Sequence, residues 1–358
     1  MDTYDELIDR IYSVPEGPEQ IAYMEELVRL ADSNNDISTA YRARREIARV
    51  ANEEGFPEKA IVAFSWCLAK FDEDEELDHW HSLLWQYKVI LEMIPVFHTV
   101  SREQIVNMQE DMAKRCARFG ETERTAHYYR AWNHMRMGDY EKALDFQKNY
   151  IAMPRTAMSD CLACERDRQV ELLSRMKMDD EALNSAAPIL SGEMSCGEVP
   201  EFTNAHVTRT YLRTGDLNAA KKLHKKAYKR VTGERKYLGT IGDLMLTPVR
   251  DRNFRQGVNM FTKHFPAALD TASTELRFRF LSASALLMES LAAVKPKPRK
   301  MRLPTYFEGH RKDDQYDPAE LANWLQQQAE MMAGQFNQRN QNRTYDDILA
   351  ENRELAGL

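Results

Sequence analysis

Glycine and proline are scarce, 14 and 13 in 358 residues, too few for a protein built of strands and tight turns. No apolar run approaches the ~20 residues needed to cross a bilayer. The opening Met1-Asp2-Thr3-Tyr4-Asp5-Glu6 is acidic where a secretion signal would be basic. We therefore expect a cytoplasmic protein with no membrane partner. Only five cysteines are present, an odd number, and they read as thiols or metal ligands more readily than as structural disulfides. Catalytic signatures are missing too: no Gly-rich phosphate loop, no H-E-x-x-H, no G-x-S-x-G and no nucleotide-binding fingerprint. The expectation is a protein that is not an enzyme. Positive charge is not in excess, since 49 basic against 56 acidic residues leave −7, which argues against coating nucleic acid.

What is present favours helix. Hydrophobic residues make up 43% of the chain, 18 residues are Met, and Ala, Leu, Glu, Lys and Arg are abundant. One short pattern recurs: Gly, then an aromatic residue or Leu, then a small residue five positions after the Gly. Its copies are Gly55-Phe56-Pro57-Glu58-Lys59-Ala60, Gly138-Asp139-Tyr140-Glu141-Lys142-Ala143 and Gly215-Asp216-Leu217-Asn218-Ala219-Ala220. Glycine ends one helix in a left-handed conformation, the apolar residue plugs the turn, and the small residue lets the next helix approach closely. Weaker copies put Ala182 and Gly257 at the small position, and Ile21 and Ile105 in the equivalent places. The series 21, 60, 105, 143, 182, 220, 257 steps by 39, 45, 38, 39, 38 and 37 residues.

This spacing and the Gly-Asp-Tyr-Glu-Lys-Ala copy resemble the tetratricopeptide repeat family, over roughly residues 17–270. The resemblance implies an all-α, right-handed solenoid of about seven helix pairs. Helices are expected over 38–54 and 57–70, 122–137 and 140–152, 201–214 and 217–231. A further apolar helix over 274–293 has no immediate partner in the repeat. We divide the chain into a solenoid over 1–293, a basic Pro-containing linker over 294–316 whose charged run Lys295–Arg302 reads as a solvated connector, and a C-terminal region over 317–358. Within that last region a capping helix over 317–336 carries Leu321, Trp324, Leu325, Met331, Met332 and Phe336. A loosely held helix near Tyr345–Ala356 follows. Phe64-Ser65-Trp66-Cys67, Pro154-Arg155, Ser159-Asp160-Cys161-Leu162-Ala163-Cys164-Glu165, Cys196-Gly197-Glu198-Val199-Pro200, Arg302-Leu303-Pro304 and Phe336-Asn337-Gln338-Arg339-Asn340 together resemble a group of bacterial tetratricopeptide proteins of unassigned function. That wider resemblance implies a bacterial source and supplies no activity.

In stacked helix pairs the first helix of each pair lines the inner groove. Aligning on the glycines puts Arg42, Arg45, Arg49 and Asn52 there in one unit, Tyr128, Trp132 and Arg136 in another, and Arg209, with Arg213, in a third; Trp85 and Lys88 belong to the intervening helix. Such a groove suits an acidic or carboxyl-terminal peptide, because guanidinium pairs bidentately with carboxylate. The same arginines, balanced by Glu46, Glu53 and Glu54, also read as a solvated face. Cys161 and Cys164 form a C-x-x-C at a helix start, and Cys196 precedes the next pair. These three can converge as ligands of a structural zinc, with Glu165 or His206 as the fourth, or pack a helix junction as small apolar residues. Cys67 and Cys116 are expected in the core, and His79 and His81 point to different faces.

The expected function is a non-catalytic scaffold that binds a peptide or protein segment in the concave groove. The alternatives are a peptide-responsive regulator, or a structural subunit that assembles through its terminal helices as a homo-oligomer. A single-stranded nucleic-acid binder, with bases stacked on Trp and Tyr, is the least favoured.

Overall fold

The structure, a computed structural model, describes residues 3–358; Met1 and Asp2 of the acidic opening lie outside the described residues. Among the described residues there are 17 α-helices and one ladder of two two-residue strands, and helix accounts for 75% of the chain. In order the helices are α1 (Tyr4–Ser13), α2 (Pro18–Ser33), α3 (Ile37–Glu54), α4 (Pro57–Glu73), α5 (Trp80–Met93), α6 (Arg102–Arg118), α7 (Arg124–Arg136) and α8 (Tyr140–Ala152). They continue with α9 (Leu162–Arg175), α10 (Asp179–Leu190), α11 (Glu201–Arg213), α12 (Leu217–Val231), α13 (Leu238–Arg250), α14 (Phe254–Asp270) and α15 (Thr274–Val294). The strands β1 (Arg299–Lys300) and β2 (Gln315–Tyr316) precede α16 (Pro318–Asn340) and α17 (Thr344–Ala356).

The chain forms two compact units. The first comprises the described residues of Met1–Arg136 together with Asp145–Ser159; the second comprises Met137–Leu144 and Asp160–Leu358. In the first, successive helices pack on one another, and α3 also packs on α5, and α5 on α7. The second repeats the scheme: α9 packs on α11, α11 on α13 and α13 on α15, while the even-numbered helices fill in between.

The recurring pattern has one structural meaning. Ile21, Ala60, Ile105, Ala143, Ala182, Ala220 and Gly257 are all buried, and each lies on an even-numbered helix from α2 to α14. The N–H of each donates to the carbonyl four residues back at the helix start, at 2.9–3.1 Å. Each is thus a buried residue that closes the first helical turn. At Gly257 a Cβ would sit 2.4 Å from Leu287 Cδ1, so any larger residue there requires the Leu287 side chain to move.

Gly55, Gly138 and Gly215 adopt the left-handed conformation expected of them, with φ of 84°, 82° and 83°. The weaker copies keep the same backbone without glycine: Lys177 has φ 59° ahead of Ala182, and Arg252 has φ 54° ahead of Gly257. Asn35, with φ 56°, repeats the device ahead of the buried Ala40 on α3, a copy that the glycine pattern does not reveal. Where Ile replaces the small residue the entry differs: α6 opens with a capping box between Ser101 and Gln104.

Three expectations about the C-terminal third are revised. The charges of the basic run Lys295–Arg302 are exposed or half-exposed, as a solvated connector requires, but the linker around them is not all solvated: Met301, Leu303, Phe307 and Tyr316 are buried in the second unit's core, and β1 pairs with β2 in antiparallel register. Phe307 lies edge-on to Phe265 and Trp324, at 5.0 and 4.9 Å. Helix α15 does not lack a partner either, for α16 packs along it through Leu321, Leu325, Ala329, Met332, Ala333 and Phe336. Nor is α17 loosely held. Tyr345 stacks on Phe336 at 4.3 Å, and Arg353 pairs with Glu289 at 2.7 Å.

Candidate functional site

In the first unit, α3 and α5 border a groove of about 540 Å³. Arg42, Arg45, Arg49, Asn52 and Trp85, all expected on the inner face, line it together with Asp78, His81, Gln86 and Val89, which were not expected there. The signal for two of these was available, since His81, Trp85 and Val89 are spaced four apart and share one face of α5. His81 stacks on Trp85 with ring centroids 5.7 Å apart. Trp85 is 40% exposed and Val89 36%, large apolar surface for an open groove.

The three arginines are not equivalent. Arg45 is spent inside the protein: it pairs with Asp78 and bonds Gln86, whose amide donates back to the Arg45 carbonyl at 2.8 Å. Arg49 is shared among Glu16 at 2.6 Å, Glu46, and Glu53 at 3.0 Å. These acids hold the charge in place, so the groove wall is mixed and not a basic strip. Arg42 makes a 3.4 Å bond to Thr39 and no ion pair among the described residues. Asn52 is buried, and its Oδ1 has no hydrogen-bond partner among the described residues. A buried amide oxygen left without a donor is costly.

Other expected groove residues lie elsewhere. Lys88 is 1% exposed; its Nζ donates to the Met158 carbonyl at 2.9 Å and sits 3.2 Å from the Trp85 ring centroid. Tyr128 and Trp132 are core residues. Trp132 Nε1 donates to the Glu92 carbonyl at 2.9 Å, and Tyr128 packs edge-on against Tyr129 and Tyr150. Arg136 lies over the Trp132 ring at 4.1 Å. Lys88, Tyr128 and Trp132 are buried, so the alignment on the glycines did not separate groove side chains from core ones.

Arg209 belongs to the second unit, where the corresponding helix face is covered. Helix α17 crosses α11, α13 and α15. Glu351 on α17 takes both Arg209 and Arg213; Arg209 also donates to Asn352 Oδ1 at 2.7 Å, and Asn352 donates to Ser282 at 3.2 Å. Arg279 pairs with Asp243, which lies 3.2 Å from Arg209. Burial alone would raise the pKa of both acids, yet the guanidiniums of Arg279 and Arg209 hold Asp243, and those of Arg209 and Arg213 hold Glu351, below the ordinary carboxylate range. Only about 20 Å³ of space remains at this cluster, so it admits no ligand. Glu351 is 142 residues from Arg209, and no local pattern announces the pairing.

The cysteines divide as expected. Cys67 and Cys116 are buried, and burial pushes each thiol up to about 12. Cys161, Cys164 and Cys196 converge, with their sulfurs all within 4.8 Å of one another, in a group able to hold a metal ion. Glu165 and His206 do not join it: Glu165 is a buried residue of α9, and His206 Nε2 is 3.7 Å from Glu171. His79 and His81 do not share a ligand either; His79 caps α5 by accepting from the His81 N–H.

No described helix is long and apolar enough to cross a membrane. Compared with known proteins, the chain matches no family model and no curated protein sequence.

Proposed function

We propose that this protein is a non-catalytic scaffold of the tetratricopeptide type, a right-handed solenoid, whose α3–α5 groove receives a short segment of another polypeptide. The packing of successive helices, the packing of odd-numbered helices on one another within each unit and the seven equivalent turn residues support the solenoid reading. One observation carries the functional reading: the groove exposes Trp85 and Val89 beside Arg42, which makes no ion pair among the described residues. A peptide answers both features: an apolar side chain covers Trp85 and Val89, and a carboxylate meets Arg42. The acids around Arg49 and Arg45 discourage a polyphosphate backbone, so nucleic acid is the weaker fit.

The test is selection from a displayed peptide library against the full-length protein, followed by affinity measurement on the enriched peptides. Enriched sequences should combine an acidic group with a large apolar residue. Trp85→Ala should weaken them about 30-fold, the loss typical of an aromatic anchor. Arg42→Glu should weaken them further while leaving helical content unchanged. Peptides that bind both variants as tightly as the parent would remove the groove from consideration. Arg45→Glu is the poorer probe, because Arg45 ties α3 to Asp78 and Gln86.

A further inference from the structure

Three thiols meet where α9 begins. Cys161 is the N-cap of α9, and its sulfur accepts the backbone N–H of Cys164, in the first turn, at 3.3 Å. Cys196 comes from the loop between α10 and α11, which is closed on itself by the Cys196 N–H donating to the Val199 carbonyl at 3.0 Å. Cys164 and Cys196 sulfurs are 3.2 Å apart, and Cys161 completes a triangle with no side longer than 4.8 Å. Beside it lies a small apolar cluster of buried Ala163, Ile189 and Val199, against which Cys164, Met194 and Cys196 pack.

Packing alone does not account for this arrangement. A cysteine used as a small apolar residue is buried, as Cys67 and Cys116 are in this same chain. Cys161 is instead exposed, and Cys164 and Cys196 are only half-buried. They come from two segments, each folded on itself by local backbone hydrogen bonds, and among the described residues no His, Asp or Glu joins the group.

We propose that Cys161, Cys164 and Cys196 bind one zinc ion through three thiolates and leave its fourth position open to solvent on the Cys161 side. Tetrahedral zinc with sulfurs at about 2.3 Å sets those sulfurs about 3.8 Å apart, within the range of the observed triangle. Zinc with three thiolates carries one net negative charge. That charge sits at the amino end of the 14-residue helix α9, where the backbone dipole favours it, and the Cys164 N–H already points at a sulfur. Each thiol gives up its proton to solvent as the ion binds, so no oxidant or reductant takes part. The ion would tie α9 to the loop that leads into α11. A three-ligand shell also accepts a small external donor, which a closed four-cysteine site does not.

The experiment uses the full-length chain, freed of metal with chelator and kept under a phosphine reductant. Cobalt(II) titration should produce thiolate charge-transfer absorption that saturates at about one equivalent and is abolished by zinc. Cys161→Ser, Cys164→Ser and Cys196→Ser should each weaken binding more than about a hundredfold, given the affinities of structural thiolate sites, whereas Cys116→Ala should not. Imidazole should shift the visible cobalt bands by entering the open position. In the unmodified protein the melting temperature should rise with zinc, a readout that needs no variant to fold. Absence of a saturable cobalt spectrum with all five thiols reduced overturns the site. Binding that survives Cys196→Ser reduces it to an adventitious C-x-x-C, and a spectrum insensitive to imidazole removes the open position.

Discussion

At the scale of single residues, charge placement separates structural side chains from available ones. Glu351 serves two guanidiniums, and removing its charge leaves Arg209 and Arg213 enclosed without it. Breaking an enclosed pair from one side is expensive, so Glu351→Gln should cost about 3 kcal/mol in urea unfolding of the second unit. Protons should act on the same unit in two stages. His224 donates to the Leu244 carbonyl at 3.0 Å and faces the Gln256 amide at 2.7 Å; His264 meets the Tyr228 hydroxyl at 3.1 Å. Burial lowers both rings from 6.5 to about 4, with Lys263 assisting at His264. The unfolded chain therefore takes up these protons first. The stability contribution is complete above pH 6.5 and is lost as pH falls toward 4. Glu351 and Asp243, held low in the folded state, add a second loss at lower pH still. Unfolding curves of His224→Gln between pH 7 and 4.5 should show a shallower decline than the parent; parallel curves would mean that this ring is not neutral for the reason given.

At the scale of the element, the turn before each even-numbered helix can be tested one atom at a time. Gly215 has nothing within 4 Å of where a Cβ would go, so Gly215→Ala reports backbone conformation alone, about 1 kcal/mol. Gly138 has the same φ, but a Cβ there would lie 2.0 Å from Thr344 Oγ1. Gly138→Ala should therefore cost well over that amount, and thermal melts of the two variants side by side would show whether the C-terminal segment bears on this turn. These turns also show what was legible. Helix bounds such as 217–231 and 140–152 follow from the glycine pattern, because a left-handed residue and a small residue five apart fix where one helix stops and the next closes its first turn. Lys177 and Arg252 were less legible, since the backbone tolerates a non-glycine residue there at modest energy. The groove was half legible: an arginine at helical spacing reveals its face and not its partner. Nothing near Arg45 in the sequence announces Asp78, and nothing near Trp132 announces the Glu92 carbonyl.

At the scale of the whole molecule, the two units do not correspond to two uninterrupted stretches of chain. Residues 137–144 belong to the second unit and 145–159 return to the first, so α8 contributes to both. A fragment ending at Arg136 deprives Lys88 of the Met158 carbonyl and Tyr128 of Tyr150, both within the first unit. Such a fragment should melt broadly or fail to accumulate. One ending at Ser159 should retain a cooperative transition by circular dichroism, and indistinguishable melts would show that residues 145–159 add nothing to the first unit.

The covering of α11, α13 and α15 by α17 has a temporal consequence. During synthesis Arg209 and Arg213 emerge from the ribosome well over a hundred residues before Glu351 does. At a typical elongation rate of about 5–20 residues per second, these guanidiniums wait on the order of ten seconds for their carboxylate. For that interval Arg213 has Asp179 and Arg209 has Asp243 for partners, and the enclosed cluster is completed only when residue 351 arrives.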